Sequence, residues 1–90
     1  MFCIGSIDLT LPFVNSKKER RAILNTIVDK LKNINISIMD SSGEYPHEGV
    51  IMFSFVRAEE GSIKRTIEKM EDMLFEILSD DNFEINYEVV

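Results

Sequence analysis

The stretch that decides the fold is residues 50–57, VIMFSFVR, which are nearly continuously apolar. A short apolar run bounded by turn residues is typical of a strand in the middle of a sheet. We therefore predict a central strand here, in which Ile51, Phe53 and Phe55 face the core and Met52 and Ser54 face away from it.

Three further strands are predicted on either side of this central strand. Residues 2–11 form the first strand, which stops at Pro12 because proline cannot continue the hydrogen-bonded ladder. A short second strand occupies residues 34–39, and residues 41–49 form a long turn that leads into the central strand. The apolar residues that alternate in these strands are Ile7, Leu9 and Leu11, then Ile34, Ile36 and Ile38, and in the last strand Phe83, Ile85, Tyr87 and Val89.

Two helices are predicted between the strands. Ser16 and Glu19 match a capping box, in which each side chain satisfies a free backbone N–H at the helix start, and Asn33 or Asn35 ends this first helix. The second helix begins near the acidic residues 59–60, whose charge suits the positive helix end. The apolar stripes are Ile23, Leu24, Ile27, Val28 and Leu31, then Ile63, Ile67, Met70, Leu74, Ile77 and Leu78.

The resulting order of elements is β-α-β-β-α-β. Its usual compact arrangement is the ferredoxin-like α+β sandwich, a four-stranded antiparallel sheet with two helices on one face. We expect residues 1–90 to form one such domain, because a chain of this length supports a single core. This fold serves many unrelated functions and does not identify one.

The composition argues against a membrane-spanning, a secreted or a disulfide-linked protein. The 90 residues carry a formal net charge of −6, and no apolar run reaches the roughly 20 residues of a membrane span. The start of the chain lacks the basic segment of a signal peptide, and Cys3 is the single cysteine, so no internal disulfide is expected. We therefore expect a cytoplasmic protein that has no membrane partner.

The sequence offers little for catalysis or for metal binding. His47 is the only histidine, and no serine lies between glycines as in a nucleophile elbow. Asp40, Glu44, His47 and Glu48 crowd one turn, but their spacing matches no known ligand pattern. The four glycines are scattered and form no phosphate-binding fingerprint. We expect no enzyme activity, no metal and no cofactor.

The sheet face opposite the helices is predicted to be polar. It receives Ser6, Asp8, Thr10, Met52, Ser54, Glu84, Asn86 and Glu88. Single-stranded RNA binding on such a face needs aromatic side chains that stack on bases. We expect no aromatic residue there, and the three carboxylates would repel phosphate, so we reject base stacking on the sheet. The alternative is a reversed register of the central strand, which would turn Phe53 and Phe55 outwards, since a bulge near Gly5 can shift a face.

A basic segment, residues 15–24 or NSKKERRAIL, stands out in this acidic chain. Cations at a helix start oppose the helix dipole, so their presence calls for a reason. The side chains of Ser16, Lys17, Lys18, Arg20 and Arg21, together with free N–H groups, suit a phosphate, carboxylate or RNA ligand. The alternative is internal pairing of Arg20 and Arg21 with carboxylates such as Asp8 or Asp40.

At this segment the chain resembles the YlxP family of small bacterial proteins of unknown function, and the similarity covers the whole length. The family's first helix typically opens with Ser-Leu-Lys-Glu-Lys-Arg, where this chain has Ser16-Lys17-Lys18-Glu19-Arg20-Arg21. The resemblance implies a ferredoxin-like fold. It also implies a ribosome-related role, since the family's genes often neighbour those of translation initiation factors and ribosome-binding factor A. Residues 40–49, DSSGEYPHEG, depart from the family pattern.

The predicted function is therefore a small non-enzymatic binding protein, a candidate ribosome- or RNA-associated factor that uses the basic start of helix one. The alternative is a protein-interaction or self-associating module without a nucleic-acid role. Met52 on the open face and Phe75 on the second helix are the candidate partner contacts. A homodimer, if formed, is expected to pair through the edges of strands two and four.

Overall fold

A computed structural model describes residues 1–90 and confirms the predicted ferredoxin-like α+β sandwich. The elements are β1 (Phe2–Thr10), α1 (Lys17–Leu31), β2 (Ser37–Asp40), β3 (Glu48–Val56), α2 (Glu60–Phe75) and β4 (Phe83–Val89), with short 3-10 turns at Lys32–Ile34 and Asp80–Asn82. The antiparallel strands lie in the order β2-β3-β1-β4. As predicted, β3 is central, and β2 and β4 form the edges.

The pairing of strands decides which side chains enter the core. β1 pairs with β3 in unbroken register, and Ile7 lies opposite both Ile51 of β3 and Ile85 of β4. Because side chains alternate between the two faces of a strand, this register turns one set of residues towards the helices. The buried residues of that set are Cys3, Ile7, Leu9, Ile51, Phe53 and Phe55. The predicted orientation of the central strand is confirmed.

Both helices cover this face with their apolar stripes. The buried residues are Leu24, Ile27 and Leu31 in α1 and Ile63, Ile67, Met70 and Leu74 in α2. Burying one such side chain stabilises the fold by about 1.5–3 kcal/mol, so the two stripes hold the layers together. An ion pair between Lys30 and Glu76 links α1 to the end of α2.

The connection from α1 to β2 differs from the prediction. Ile34 belongs to a 3-10 turn and not to β2, which begins at Ser37. The cause is Asn35, whose left-handed backbone (φ 59°) reverses the chain after the turn, a conformation that asparagine tolerates well. Asn35, one of the two predicted positions, therefore ends the helical segment. Of the three isoleucines predicted to alternate in the second strand, only Ile38 lies in β2.

Gly5 is required by a close approach between strands. It lies opposite Phe53 of β3 and Tyr87 of β4. A Cβ atom at this position would lie 2.3 Å from the carbonyl oxygen of Asn86 and 2.6 Å from Cζ of Phe53. Both distances are far below van der Waals contact, and the first involves backbone that cannot move without disturbing β4.

We predict that Gly5→Ala lowers the free energy of unfolding by about 1–3 kcal/mol, because the added methyl group overpacks the sheet. Denaturant unfolding measures this loss. Gly43→Ala is the matched control, since a Cβ there meets no atom within 4 Å, and we expect little change. Equal stability of the two variants would contradict the close approach at Gly5.

Candidate functional site

Arg20 is the most firmly held residue of the predicted basic site. It is only 7% exposed, and its guanidinium donates three hydrogen bonds to backbone carbonyls, two in the turn before β3 and one at the first residue of that strand. Nη1 donates to the carbonyl oxygens of Tyr45 (2.7 Å) and Glu48 (2.9 Å), and Nη2 donates to that of Gly43 (2.9 Å). The expected carboxylate partner of Arg20 was wrong, because these carbonyl dipoles stabilise its charge instead.

Lys17 and Ser16 also make contacts within the fold. Lys17 forms an ion pair of 2.7 Å with Glu44, and this hydrogen bond lowers the pKa of the Glu44 carboxyl. Both side chains are largely exposed, so the pair contributes little stability. Ser16 caps α1, since its Oγ accepts a hydrogen bond from the N–H of Glu19 (3.1 Å). The Lys17–Glu44 ion pair joins the start of α1 to the turn before β3, whereas the Ser16 cap lies within the start of α1 itself.

The capping box is present with one change. The Glu19 carboxylate accepts a hydrogen bond from the N–H of Asn15 (3.1 Å) and not from that of Ser16, as the motif predicts. A negative charge therefore already occupies the start of α1. Lys18 and Arg21 are exposed, and neither side chain has an ion pair or hydrogen bond in the fold. Of the five predicted residues, only these two remain free for a ligand.

The open face, the side of the sheet turned away from the helices, is more apolar than predicted. Met52 is 36% exposed and lies opposite Met39, which is 60% exposed. Phe2, Ile4 and Val56 are exposed on the same face. We call Phe2, Ile4, Met39, Met52 and Val56 the apolar patch.

Phe2 corrects the prediction that this face has no aromatic residue. It pairs with Val56, and the next residue, Cys3, is buried on the helix side, so Phe2 must face outwards. The prediction considered alternation only from Ile7 onwards. The same period-two pattern, followed back through Gly5 and Cys3, would have placed both Ile4 and Phe2 on the open face.

Carboxylates border the apolar patch along β1 and β4. Asp8 lies opposite Glu84, and Glu88 lies opposite Ile4, all on the open face. We call Asp8, Glu84 and Glu88 the carboxylate border. No strand contains a Lys or Arg, so all ten cations of the protein lie in the helices and connections. The open face therefore combines apolar surface with negative charge alone.

Phe75, the other predicted partner contact, is 50% exposed. Its ring packs edge-on against Phe83 with the two centroids 5.0 Å apart, so it covers the start of β4. Such an aromatic pair contributes about 0.5–1.5 kcal/mol beyond the area that it buries. This internal contact gives Phe75 a reason to be apolar without a partner.

The remaining reactive groups are not assembled into a chemical site. No three His, Cys, Asp or Glu side chains are placed to hold a metal ion. Cys3 is fully buried, and burial raises the pKa of its thiol, so its thiolate is disfavoured. No helix is long and apolar enough to cross a membrane.

Comparison with models of protein families identifies the family of this chain. The model of DUF503, described as a protein of unknown function, matches residues 2–85. The chain belongs to the DUF503 family. A search of curated proteins finds no match for this DUF503 member.

Solved structures that resemble this DUF503 protein share its fold at low identity. A de novo designed protein with a ferredoxin fold, LFR1, matches with a TM-score of 0.60 and 13% identity, over 99% of this chain and 84% of that one. A dimeric ferredoxin-like protein from an uncultured marine organism matches with a TM-score of 0.52 and 14% identity, over 100% and 94%. The designed protein Foldit4 has a TM-score of 0.57 and 13% identity, over 98% and 94%. These similarities establish the fold alone.

We predict that Arg20→Met lowers the free energy of unfolding by about 1–3 kcal/mol, because three partly buried carbonyls lose their donor. Denaturant unfolding of both variants tests this, with Arg21→Met as the control. Arg21 makes no such bonds, and its replacement should change stability by less than about 0.5 kcal/mol. Full stability of Arg20→Met would show that the turn before β3 does not depend on it.

Proposed function

We propose that this DUF503 protein is a non-enzymatic binding protein whose open face binds a protein segment that carries apolar side chains and Lys or Arg. The observation that carries the proposal is the exposed apolar patch beside the carboxylate border, on a face without any cation. A partner that covers both the apolar patch and the carboxylate border needs apolar side chains for the first and Lys or Arg for the second.

The apolar patch extends over three strands, with Ser54 between Val56 and Met52 on the same face. Phe2 lies opposite Val56, Met52 lies opposite Met39, and Ile4 follows Phe2 on the same face of β1. A shallow depression of about 230 Å³ lies between β2 and β3 beside the two methionines. Methionine side chains adapt to different apolar partners, and contiguous exposed apolar surface on a small protein commonly marks an interaction site.

Charge decides the kind of partner. The carboxylate border attracts Lys and Arg, and the net charge of −6 speeds the approach of a basic partner. A second copy of the chain would bring its own carboxylates to a face that has no cation to receive them. A dimeric ferredoxin-like protein exists among the structural neighbours, so association of two copies remains an outcome that the experiment must detect.

We further propose that the protein is YlxP-like, which is compatible with its DUF503 membership, and that residues 1–90 act as one cytoplasmic domain. The resemblance to the YlxP family implies a ribosome-related role for this binding protein.

A second candidate function is RNA or ribosome association through the start of α1. It is favoured by Lys18 and Arg21, which are exposed and have no partner in the fold. Lys17 and Arg20 would then position the helix start, because their side chains tie it to residues 43–48, and Ser16 would cap it.

Methionine methyl NMR tests the open face directly. We expect a peptide with a Leu-rich centre and Lys at both ends to shift the methyl signals of Met39 and Met52. The signals of Met70 and Met73 on α2 should stay in place as internal controls. A peptide with Glu in place of Lys should have no effect, since it faces the carboxylate border. Met39→Ser should weaken binding by about 3- to 10-fold through lost apolar burial.

Phe13→Ser is the matched control, because Phe13 is equally an exposed apolar residue but lies outside the sheet. Unchanged methyl signals of Met39 and Met52 in the peptide titration would overturn the proposal. Shifts that appear on concentrating the protein alone would replace the proposed partner with a second copy.

Charge reversal tests the second candidate. We expect Lys18→Glu with Arg21→Glu to weaken binding of single-stranded RNA at low salt, whatever its sequence. The slope of log affinity against log salt should flatten by about 1.4, since each lost phosphate contact contributes about 0.7. Lys32→Glu with Lys64→Glu changes the net charge equally and serves as the control. Equal affinities of the two double variants would refute this role.

A further inference from the structure

An open groove between α2 and the α1–β2 connection is lined by cations and hydroxyls. Its volume is about 340 Å³, and its lining residues are Ile34, Arg57, Ser62, Arg65, Thr66 and Lys69. Three of the six are cations, two carry hydroxyl groups and none is acidic. In a protein with 16 acidic residues against ten Lys and Arg, a groove without a carboxylate calls for an explanation.

Arg57 holds the floor of this groove in a fixed position. Its Nε donates to Oγ1 of Thr66 (3.2 Å), Nη2 donates to the carbonyl oxygen of Ile34 (3.0 Å), and Nη1 donates to that of Val56 (2.8 Å). Its guanidinium carbon also lies 4.7 Å from the centre of the Phe55 ring. The hydroxyl and carbonyl dipoles and the cation–π contact hold the Arg57 guanidinium in place. None of these partners carries a negative charge, so the positive charge of Arg57 is not neutralised.

Four of the residues that line the groove come from one face of α2. Ser62, Arg65, Thr66 and Lys69 recur at helical spacing and therefore share that face. Nη2 of Arg65 donates to Oγ of Ser62 (3.0 Å), which directs the guanidinium along the groove and leaves most of its donors free. Neither Arg65 nor Lys69 forms an ion pair within the protein.

The geometry points to a phosphate-binding site in this groove, in which Arg65, Lys69 and the Ser62 hydroxyl contact the phosphate oxygens and Arg57 adds fixed positive charge. A guanidinium presents paired N–H donors that match two phosphate oxygens, and an ammonium adds a point charge. The open shape suits a phosphate of a larger molecule as well as a free one.

This site is separate from the start of α1. Arg20 contacts the first residue of β3, whereas Arg57 directly follows its last residue. Nine residues of strand span about 26 Å, so the groove and the pair Lys18 and Arg21 lie at opposite ends of the molecule. The open face lies on the other side of the sheet from α2. Variants of the groove therefore test this inference alone.

Titration with inorganic phosphate, followed by backbone amide NMR, tests the site. We expect saturable shifts at Ser62, Arg65 and Thr66 that exceed those of chloride at equal ionic strength. Arg65→Gln and Lys69→Gln should each weaken binding at least fivefold. Lys64→Gln is the matched control, because it removes the same charge from α2 on another face of the helix. Arg57 is left unchanged because it also supports the fold.

Two further ligands distinguish the source of the phosphate. A single-stranded RNA oligomer that binds more tightly than phosphate and displaces it would identify the nucleic-acid backbone. Pyrophosphate or a nucleotide that binds more tightly than the oligomer would identify a small ligand, and either result supports the site. Shifts that fail to saturate, or that Lys64→Gln weakens as much as Lys69→Gln, would overturn it.

Discussion

Nine consecutive residue pairs join β1 to β3 without a bulge, and the arrangement of every surface described above depends on this register. It sends Cys3, Ile7 and Leu9 into the core and leaves Phe2 and Ile4 outside. A shift by one residue would exchange the two sets, exposing the core side chains and burying Asp8. Gly5 allows the strands to pack closely in this register, because only a residue without a Cβ fits between Phe53 and the backbone of β4.

Two arginines, one near each end of β3, stabilise irregular connections by donating hydrogen bonds to their backbone carbonyls. Arg20 donates to two carbonyls of the turn before the strand and to that of Glu48, the first residue of the strand. Arg57 donates to carbonyls of the connection between α1 and β2. Irregular segments leave backbone carbonyls without helix or sheet partners, and one guanidinium can serve several of them. A cation in this protein therefore does not by itself indicate a ligand, and only those without internal partners remain candidates.

The Lys and Arg residues are confined to the helices and connections, whereas acidic residues lie on both sides of the sandwich. The strands contain no Lys or Arg, while the open face carries Asp8, Glu84 and Glu88. The helix layer holds the cations, including those of the groove beside α2. The partners that we propose for the two sides differ accordingly: apolar and basic chemistry at the open face, phosphate at the groove beside α2.

The sequence by itself determined the order of elements and the face of the central strands, since period-two and helical spacing depend only on local backbone geometry. It placed Met52 on the open face. The sequence also implies that Phe2 lies on the open face, but only when the alternation of β1 is followed back beyond Ile7. It also could not separate Arg20 from Lys18 and Arg21, since similar cations differ only in whether carbonyls 23 to 28 residues away reach them. Long-range packing alone supplies those contacts, and it alone gathers Arg57 and Arg65 into one groove.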